Sequence, residues 1–453
     1  MAALSSQEQL AAPLVPMNEF IVALPIFAIL IVIGSSVIDR QPSDERSLLR
    51  AGLIAHLASA VAMVLVTDLY YGGGDLISYA NVGRFLADRL SADFLGLAPK
   101  LLGAVLQNTE PLPIPGIMVG SNTGSMQAMS GFIMLLCGHS LYGACLMIAG
   151  ANFLAKLAML RAMRLQLPDI SVQPICISCM LVPSAVFWSS GLLKEPLAVI
   201  GIAMMVYGGT LVTLQQRFLR GALILALGAY GVWLFKAYLL PPFGIGAGLW
   251  FASRAIQSRG RNFEIRTRYL VVGAVVAITL TLMTGAFLPN LSPEAFEEEA
   301  QNAQLIGARV AGGSTYSLGG GSVASQVPLA ILTALFRPSL LDTNGVMVFL
   351  NALEMTWITV LAVLALYRNG VMQNLRQIVA RPVLAFCLGF VLTLSVGVGL
   401  TTVNLGTLSR YRMPLIPFYV LLLNVLAARR ALSPGHGSQP SLPPSGPRRL
   451  SAV

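Results

Sequence analysis

Lys194 and Glu195 stand side by side in PSAVFWSSGLLKEP (residues 183–196), between two long apolar runs. A charge at the centre of a membrane helix costs about 2.5–3.5 kcal/mol on insertion scales. A pair kept in such a place therefore invites a chemical explanation. Other stretches share the oddity. GGGDLISYANVG sets Asp75 behind three glycines, with Tyr79 one helical turn on. VWLFKAYLLPP carries Lys236, LFRPSLLD carries Arg337, and SRYRMPLIPF places Arg410 and Arg412 on either side of Tyr411. A carboxylate can take the proton of an attacking hydroxyl, which makes Asp75, and after it Glu195, candidate catalytic bases. Guanidinium and ammonium groups recognise phosphate oxygens. That makes Lys194, Arg410, Arg412, Arg337 and Lys236 candidate phosphate ligands, with Tyr79 and Tyr411 beside them. Each has a plainer reading. Asp75 would serve as the N-cap of a helix over 75–90. The segment 187–196 would be an interfacial turn anchored by Trp188. The arginines would reach toward headgroups.

The surrounding chain is overwhelmingly apolar. Of 453 residues, 56% are hydrophobic and 11% are charged, against roughly 25% charged in soluble proteins. Apolar runs near the length needed to cross ~30 Å of hydrocarbon recur throughout. The fold class is an all-α polytopic membrane bundle of about eleven spanning helices: 20–38, 51–70, 140–160, 170–187, 196–213, 219–235, 239–253, 269–288, 344–367, 383–403 and 413–428. Two shorter apolar pieces, 126–137 and 328–336, read as re-entrant or interfacial. Residues 1–430 form one transmembrane domain, and the Pro/Ser/Gly-rich tail 431–453 reads as disordered. The polar N-terminus has no basic stretch of the kind that opens a cleaved signal peptide. The five cysteines fall in or beside apolar segments and suit helix packing. Cys176 and Cys179 form a C-x-x-C without the second pair or the histidine that a metal site needs. No phosphate-binding loop or zinc motif occurs.

Basic residues orient the chain. The net charge of +10 rests on 29 basic residues, 25 of them Arg. Under alternating crossings 19 fall on one side, in loops 39–50, 161–169, 214–220, 254–268 and 368–382 and in the tail. That bias marks the side as cytoplasmic and explains the charge without nucleic acid. The N-terminus is then outside and the C-terminus cytoplasmic. The long loops 71–125 and 289–327 are external, the second with a short acidic helix near Ser292 and a Gly/Ser-rich stretch after it. Asp75, Lys194, Glu195, Lys236, Arg337, Arg410 and Arg412 all reach the outer face, where basic residues are disfavoured and functional loops gather.

An Asp-bearing first external loop on a many-helix scaffold is similar to the GT-C class of lipid-carrier-dependent glycosyltransferases. PSAVFWSSGLLKEP, the FRPSLLD…LNALE stretch (336–354) and N-x-GTLSRYRMPLIPF (404–418) resemble bacterial membrane proteins of cell-surface polysaccharide synthesis akin to O-antigen polymerases. The likeness covers roughly residues 65–425. It implies a bacterial inner-membrane enzyme, with a polyprenyl-(pyro)phosphate-linked sugar as donor and a glycan as acceptor. It departs from the GT-C pattern in having a lone Asp75 and no sizeable soluble C-terminal domain. It also implies association with polysaccharide assembly machinery. The lipid phosphate supplies the leaving group, so no cofactor is required, and nothing in the sequence supports a divalent metal. A monosaccharide transferase and a repeat-unit polymerase both fit. The alternatives are a lipid-linked oligosaccharide flippase or other transporter, and a non-catalytic subunit of an assembly complex.

Overall fold

A computed structural model describes residues 18–112, 114, 116–257, 273, 323–343, 345–402 and 404–428. Except for residue 273, the expected helix 269–288 lies outside them, as do the loop 254–268 from residue 258, the loop 289–327 up to residue 322, and the tail 431–453. All regular structure among the described residues is helical.

Among the described residues seven helical runs are long and apolar enough to cross a membrane, where the whole sequence suggests about eleven. They contain α1 (Asn18–Asp39), α2 (Ser43–Leu65, continued by a π-helical turn to Tyr70), α6 (Leu141–Gln166), α9 (Lys194–Thr213), α10 (Phe218–Lys236) with α11 (Leu240–Gln257), α13 (Val346–Ala380) and α14 (Pro382–Thr401). The remaining helices are α3 (Asp75–Ala92), α4 (Phe94–Val105), α5 (Asn122–Leu136), α7 (Val172–Cys176), α8 (Pro183–Phe187), α12 (Val323–Phe336), α15 (Leu405–Arg412) and α16 (Ile416–Ala427).

One expected span, 269–288, falls outside the described residues apart from residue 273, and the rest of the difference has local causes. The expected span 170–187 is divided into α7, a π-helical turn and α8, with Pro183 opening the last piece. A proline cannot donate to the preceding turn, so a helix restarts there. The expected span 413–428 begins with a 3-10 turn, which leaves α16 only 12 residues. The spans 219–235 and 239–253 merge into one run of 40 residues. Straight, that run would measure about 60 Å, twice the hydrocarbon thickness. It breaks at Lys236 (φ −150°, ψ 62°) and turns back. Trp250 on α11 donates to Gln166 at 2.7 Å, and Gln166 donates to Thr210 near the end of α9 at 2.9 Å.

Lipid is the solvent that the outer helices require. Only 17% of the apolar window of α1 and 22% of that of α13 is buried within the protein. Ile21, Val32 and Val363 are among the side chains left on the outside. Helices this apolar all round belong in hydrocarbon. The tightest internal pair is α9 against α10. A Cβ at Gly201 would sit 2.7 Å from the Gly228 carbonyl oxygen, and one at Gly208 would sit 2.7 Å from that of Gly221. Two small residues seven apart on each helix let the backbones touch, as small-residue stripes do in membranes.

Many polar contacts between helices gather at two ends of the bundle. At one end Arg84 pairs with Glu19 (2.8 Å), Gln107 donates to the Leu234 carbonyl (3.0 Å), and Lys194 donates to Thr123 (3.2 Å). At the other end Arg161 donates to Gln41 (3.2 Å), Arg164 pairs with Glu45, and Arg381 pairs with Asp169 (2.6 Å). Both ends of α5 belong to the first group. Asn122 donates to the Phe235 carbonyl (3.4 Å), and just beyond Leu136 the His139 carbonyl accepts from Arg84 (3.1 Å). The contacts at both ends of this helix, which contains most of the piece 126–137, therefore fall at one end of the bundle. The piece 328–336 falls in α12, whose 14 residues reach about 21 Å.

Candidate functional site

Four helices meet at the first end and bring together residues more than 300 positions apart. Glu195 lies in the first turn of α9, where the helix dipole favours an anion. Arg410 lies in the last turn of α15, where it favours a cation. The local sequence sets this up. Asn404 caps α15 by accepting from the amides of Gly406 (2.8 Å) and Thr407 (3.4 Å), so the helix starts at a fixed place. Lys236 sits where α10 breaks, and Asp75 opens α3.

Arg410 is the joint of the cluster. Its Nε donates to Glu195 Oε1 at 2.9 Å, one terminal nitrogen to Glu195 Oε2 at 3.1 Å, and the other to Asp75 Oδ2 at 2.8 Å. Lys236 Nζ reaches the same Glu195 Oε1 at 3.0 Å. The Lys236 ammonium also lies over the Tyr411 ring at 4.5 Å and the Tyr238 ring at 5.6 Å, within cation–π range. Burial divides the two carboxylates: the Glu195 side chain is 1% exposed and that of Asp75 is 56% exposed. Glu195 has both oxygens engaged by cations and is closed to solvent. Asp75 is open on one side.

Electrostatics follow from this packing. Burial works against the Arg410 charge, but Glu195 and Asp75 more than offset it and hold the guanidinium protonated well beyond its ordinary range. The Tyr79 phenol is pushed up to about 12, first by burial and then by the negative charges of Asp75 and Glu195. It remains a protonated hydroxyl at any physiological pH. Three cations, Lys194, Lys236 and Arg410, stand against two carboxylates, so the cluster carries a net positive charge. Among the described residues no group of three or more His, Cys, Asp or Glu side chains could hold a metal ion.

Seven residues singled out from the sequence thus share one site: Asp75, Tyr79, Lys194, Glu195, Lys236, Arg410 and Tyr411. Lys194 is half-buried on the first turn of α9, tied to Thr123. The N-cap expected of Asp75 is not made: Gly74 is the cap residue, no side chain caps it, and the Asp75 carboxylate goes to Arg410. Two expected phosphate ligands point elsewhere. Arg412 is fully buried and donates to Asn351 Oδ1 at 2.9 Å and to the carbonyls of Ala334 and Arg337. Arg337 is bound by Asp342, whose carboxylate also accepts from the Ser339 amide at 2.8 Å. Hydrogen bonding from Arg337 brings the Asp342 carboxyl down to about 2. These two arginines join α12, α13 and α15 and make a brace beside the cluster.

Sequence reasoning overlooked several partners. Trp188 donates to Ser409 at 3.3 Å and ties the FWSSGLLKEP turn to α15. Glu354 accepts from the amide and hydroxyl of Ser184 at 2.7 and 2.5 Å, fixing the start of α8. Lys156 is fully buried in α6, its Nζ bound to Ser189 (2.7 Å), the Ala185 carbonyl (2.9 Å) and His56 (3.2 Å). A lysine in an apolar helix was itself the available signal, because ionisable groups in membrane spans are functional candidates by default.

No family model matches the chain, and neither a curated protein nor a solved structure matches it. Any account of what it does must come from this geometry.

Proposed function

We propose that the chain is a membrane glycosyltransferase or polymerase that takes its sugar from a polyprenyl-(pyro)phosphate carrier at the Asp75–Arg410 end of the bundle. One observation carries the reading: a half-exposed carboxylate shares a guanidinium with a buried one, inside a cluster of three cations at one end of an apolar bundle. In the proposed reaction an acceptor hydroxyl attacks the anomeric carbon of the donor. The new glycosidic C–O bond forms as the bond to the carrier phosphate breaks. Asp75 takes the hydroxyl proton, and the departing phosphate carries away the electron pair. Arg410 and Lys194 neutralise the charge that develops on it, which is where preorganised cations lower a barrier most. The incoming phosphate also competes with Asp75 for the Arg410 guanidinium, freeing the carboxylate for its role as base. Glu195 positions Arg410 and Lys236 and has no oxygen left for proton transfer. Arg412 and Arg337 support α15 from behind. No cofactor enters this scheme.

The same reading includes the finer topology. It takes eleven crossings, the Arg-rich end in the cytoplasm, and the site on the outer face of a bacterial inner membrane. The grouping of loops 39–50 and 161–169 with Arg381 of loop 368–382 at one end supports it.

The decisive experiment uses purified protein in lipid nanodiscs with polyprenyl-phosphate-linked sugars. Asp75→Asn and Arg410→Ala should each lower glycan formation at least a hundredfold while the protein inserts normally. Wild-type product from both variants would remove the proposed site. In cells, the lipid profile of a deletion strain separates the chemistries. Accumulated single repeat units indicate a polymerase and a truncated glycan indicates a transferase, while an unchanged profile overturns both. A transporter is favoured by one observation, the Lys156–His56 contact, which lies roughly 15 Å or more from either end of α6. Transporters place ionisable groups near the midplane. Lys156→Gln abolishing carrier translocation, with Asp75→Asn silent, would establish that reading instead.

A further inference from the structure

The opposite end of the bundle holds a cavity of about 660 Å³ between α6, α11 and the end of α13. Its volume falls in the range of ligand sites, roughly 300–1,000 Å³. Arg254, Arg376 and Arg381 line it together with Gln373, Gln377 and Trp250. Among the described residues Asp169 is the one carboxylate in the lining, and it is held by Arg381 at 2.6 Å. The cavity therefore carries a net positive charge and abundant amide donors. Arg254 lies over the Trp250 ring at 5.2 Å, which fixes its side chain against the wall.

The segment that forms one wall shows where the cavity sits. Gly370 breaks α13 with φ 66°, a backbone region that favours glycine. After the break, Gln373, Arg376 and Gln377 follow at helical spacing on the cavity side. Val371, Met372, Leu375 and Val379 occupy the other side and are exposed. A short helix with an apolar exposed face and a basic polar face suits the membrane–water boundary. Leu165 and Ile256 extend the exposed apolar surface on the neighbouring helices α6 and α11.

We infer that this cavity binds a phosphate-bearing headgroup, taken from the adjacent leaflet as an anionic phospholipid. Arg254 and Arg376 pair with the phosphodiester and the glutamines with headgroup hydroxyls. The acyl chains lie along the exposed apolar flank. Basic pockets between membrane helices suit such headgroups, and desolvation by the surrounding helices strengthens the pairing relative to an open surface. The site is at the far end of the bundle from Asp75 and does not depend on the glycosyl-transfer reading.

The test uses the full-length detergent-purified protein and three probes: dioctanoyl phosphatidylglycerol, glycerol 3-phosphate, and dioctanoyl phosphatidylcholine as the zwitterionic control. Binding is followed by native mass spectrometry and by calorimetry. The expected result is one phosphatidylglycerol per chain, bound at least tenfold tighter than either other probe. Arg376→Gln and Arg254→Gln should each weaken it about tenfold with melting temperature unchanged. Glycerol 3-phosphate binding as tightly as the lipid would keep the phosphate chemistry and overturn its membrane source. No binding of either phosphate, or equal binding by folded variants, overturns the site altogether. If one variant fails to fold, the other decides.

Discussion

At the scale of single residues, Glu195 decides whether the cluster exists. Among the described residues it is the one carboxylate bonded to both Lys236 and Arg410, and it is closed to water. Removing one partner of a buried ion pair leaves an uncompensated charge and costs about 3–5 kcal/mol. Glu195→Gln should therefore lower the melting temperature markedly, whereas Lys236→Met, which leaves the Arg410–Glu195 pair intact, should cost less. Melting curves of the two variants in one detergent check the order, and a reversed order would show that Glu195 is not the organiser. The brace behind the cluster gives a pH prediction. Asp342 titrates near 2, held down first by the Arg337 hydrogen bond, while an unfolded aspartate titrates at about 3.9. The folded value is the lower one, so the contribution of Asp342 to stability is complete above about pH 4 and disappears as pH falls toward 2. The stability gap between wild type and Asp342→Asn should close over that window in acid melts. A constant gap would mean that Arg337 does not hold the ionised form. Residue types were legible at this scale, because charge in an apolar chain is conspicuous. Direction was not. Arg410 and Arg412 look equivalent in SRYRMPLIP, yet their side chains leave the end of α15 on different sides, one to carboxylates and the other to backbone carbonyls.

At the scale of elements, the site depends on how closely α9 and α10 approach, because one carries Glu195 and the other ends at Lys236. The four glycines at their interface leave no room for a side chain. Gly208→Leu should force the helices apart, with an overpacking cost of about 1–3 kcal/mol or more. Under the proposed function it should also lower glycan formation, although the substitution is far along α9 from Glu195. Gly231→Leu, where a Cβ would meet nothing within 4 Å, is the control and should leave both unchanged. Activity and melting temperature measured together test the coupling. A silent Gly208→Leu would dissociate helix spacing from the site. Periodicity and length revealed most of these helices but not their breaks. The π-helical turns at Val66–Tyr70 and Ile177–Leu181 have no composition cue. The break at Lys236 is the exception: the sequence separates 219–235 from 239–253, and the backbone turns between them.

At the scale of the whole molecule, the two polar ends make a prediction about sidedness. Glu110 and Arg40 are exposed, and their loops belong to opposite ends. All five native cysteines are buried as free thiols, so a single introduced thiol reports its own position. Glu110→Cys should label with a membrane-impermeant reagent in intact cells, and Arg40→Cys only after the membrane is opened. Labelling of both from the same side would break the two-ended arrangement, and exchange of the two would invert the orientation. The division of basic loops was readable from arginine placement alone, since the positive-inside bias acts over whole loops. The meeting of Asp75, Glu195, Lys236 and Arg410 was readable only as a shared face. Which of them touch depends on helix rotation and packing, which a one-dimensional pattern leaves open.

The spread of these four residues along the chain has a bearing on biosynthesis. Asp75, Glu195 and Lys236 leave the ribosome well before Arg410, which follows on α15. Until that late segment docks, Lys236 alone must neutralise Glu195, and Asp75 has yet to meet its guanidinium partner. A nascent chain stalled before residue 405 would thus present its acidic groups incompletely matched, and a quality-control protease would have a physical mark by which to tell it from the finished protein.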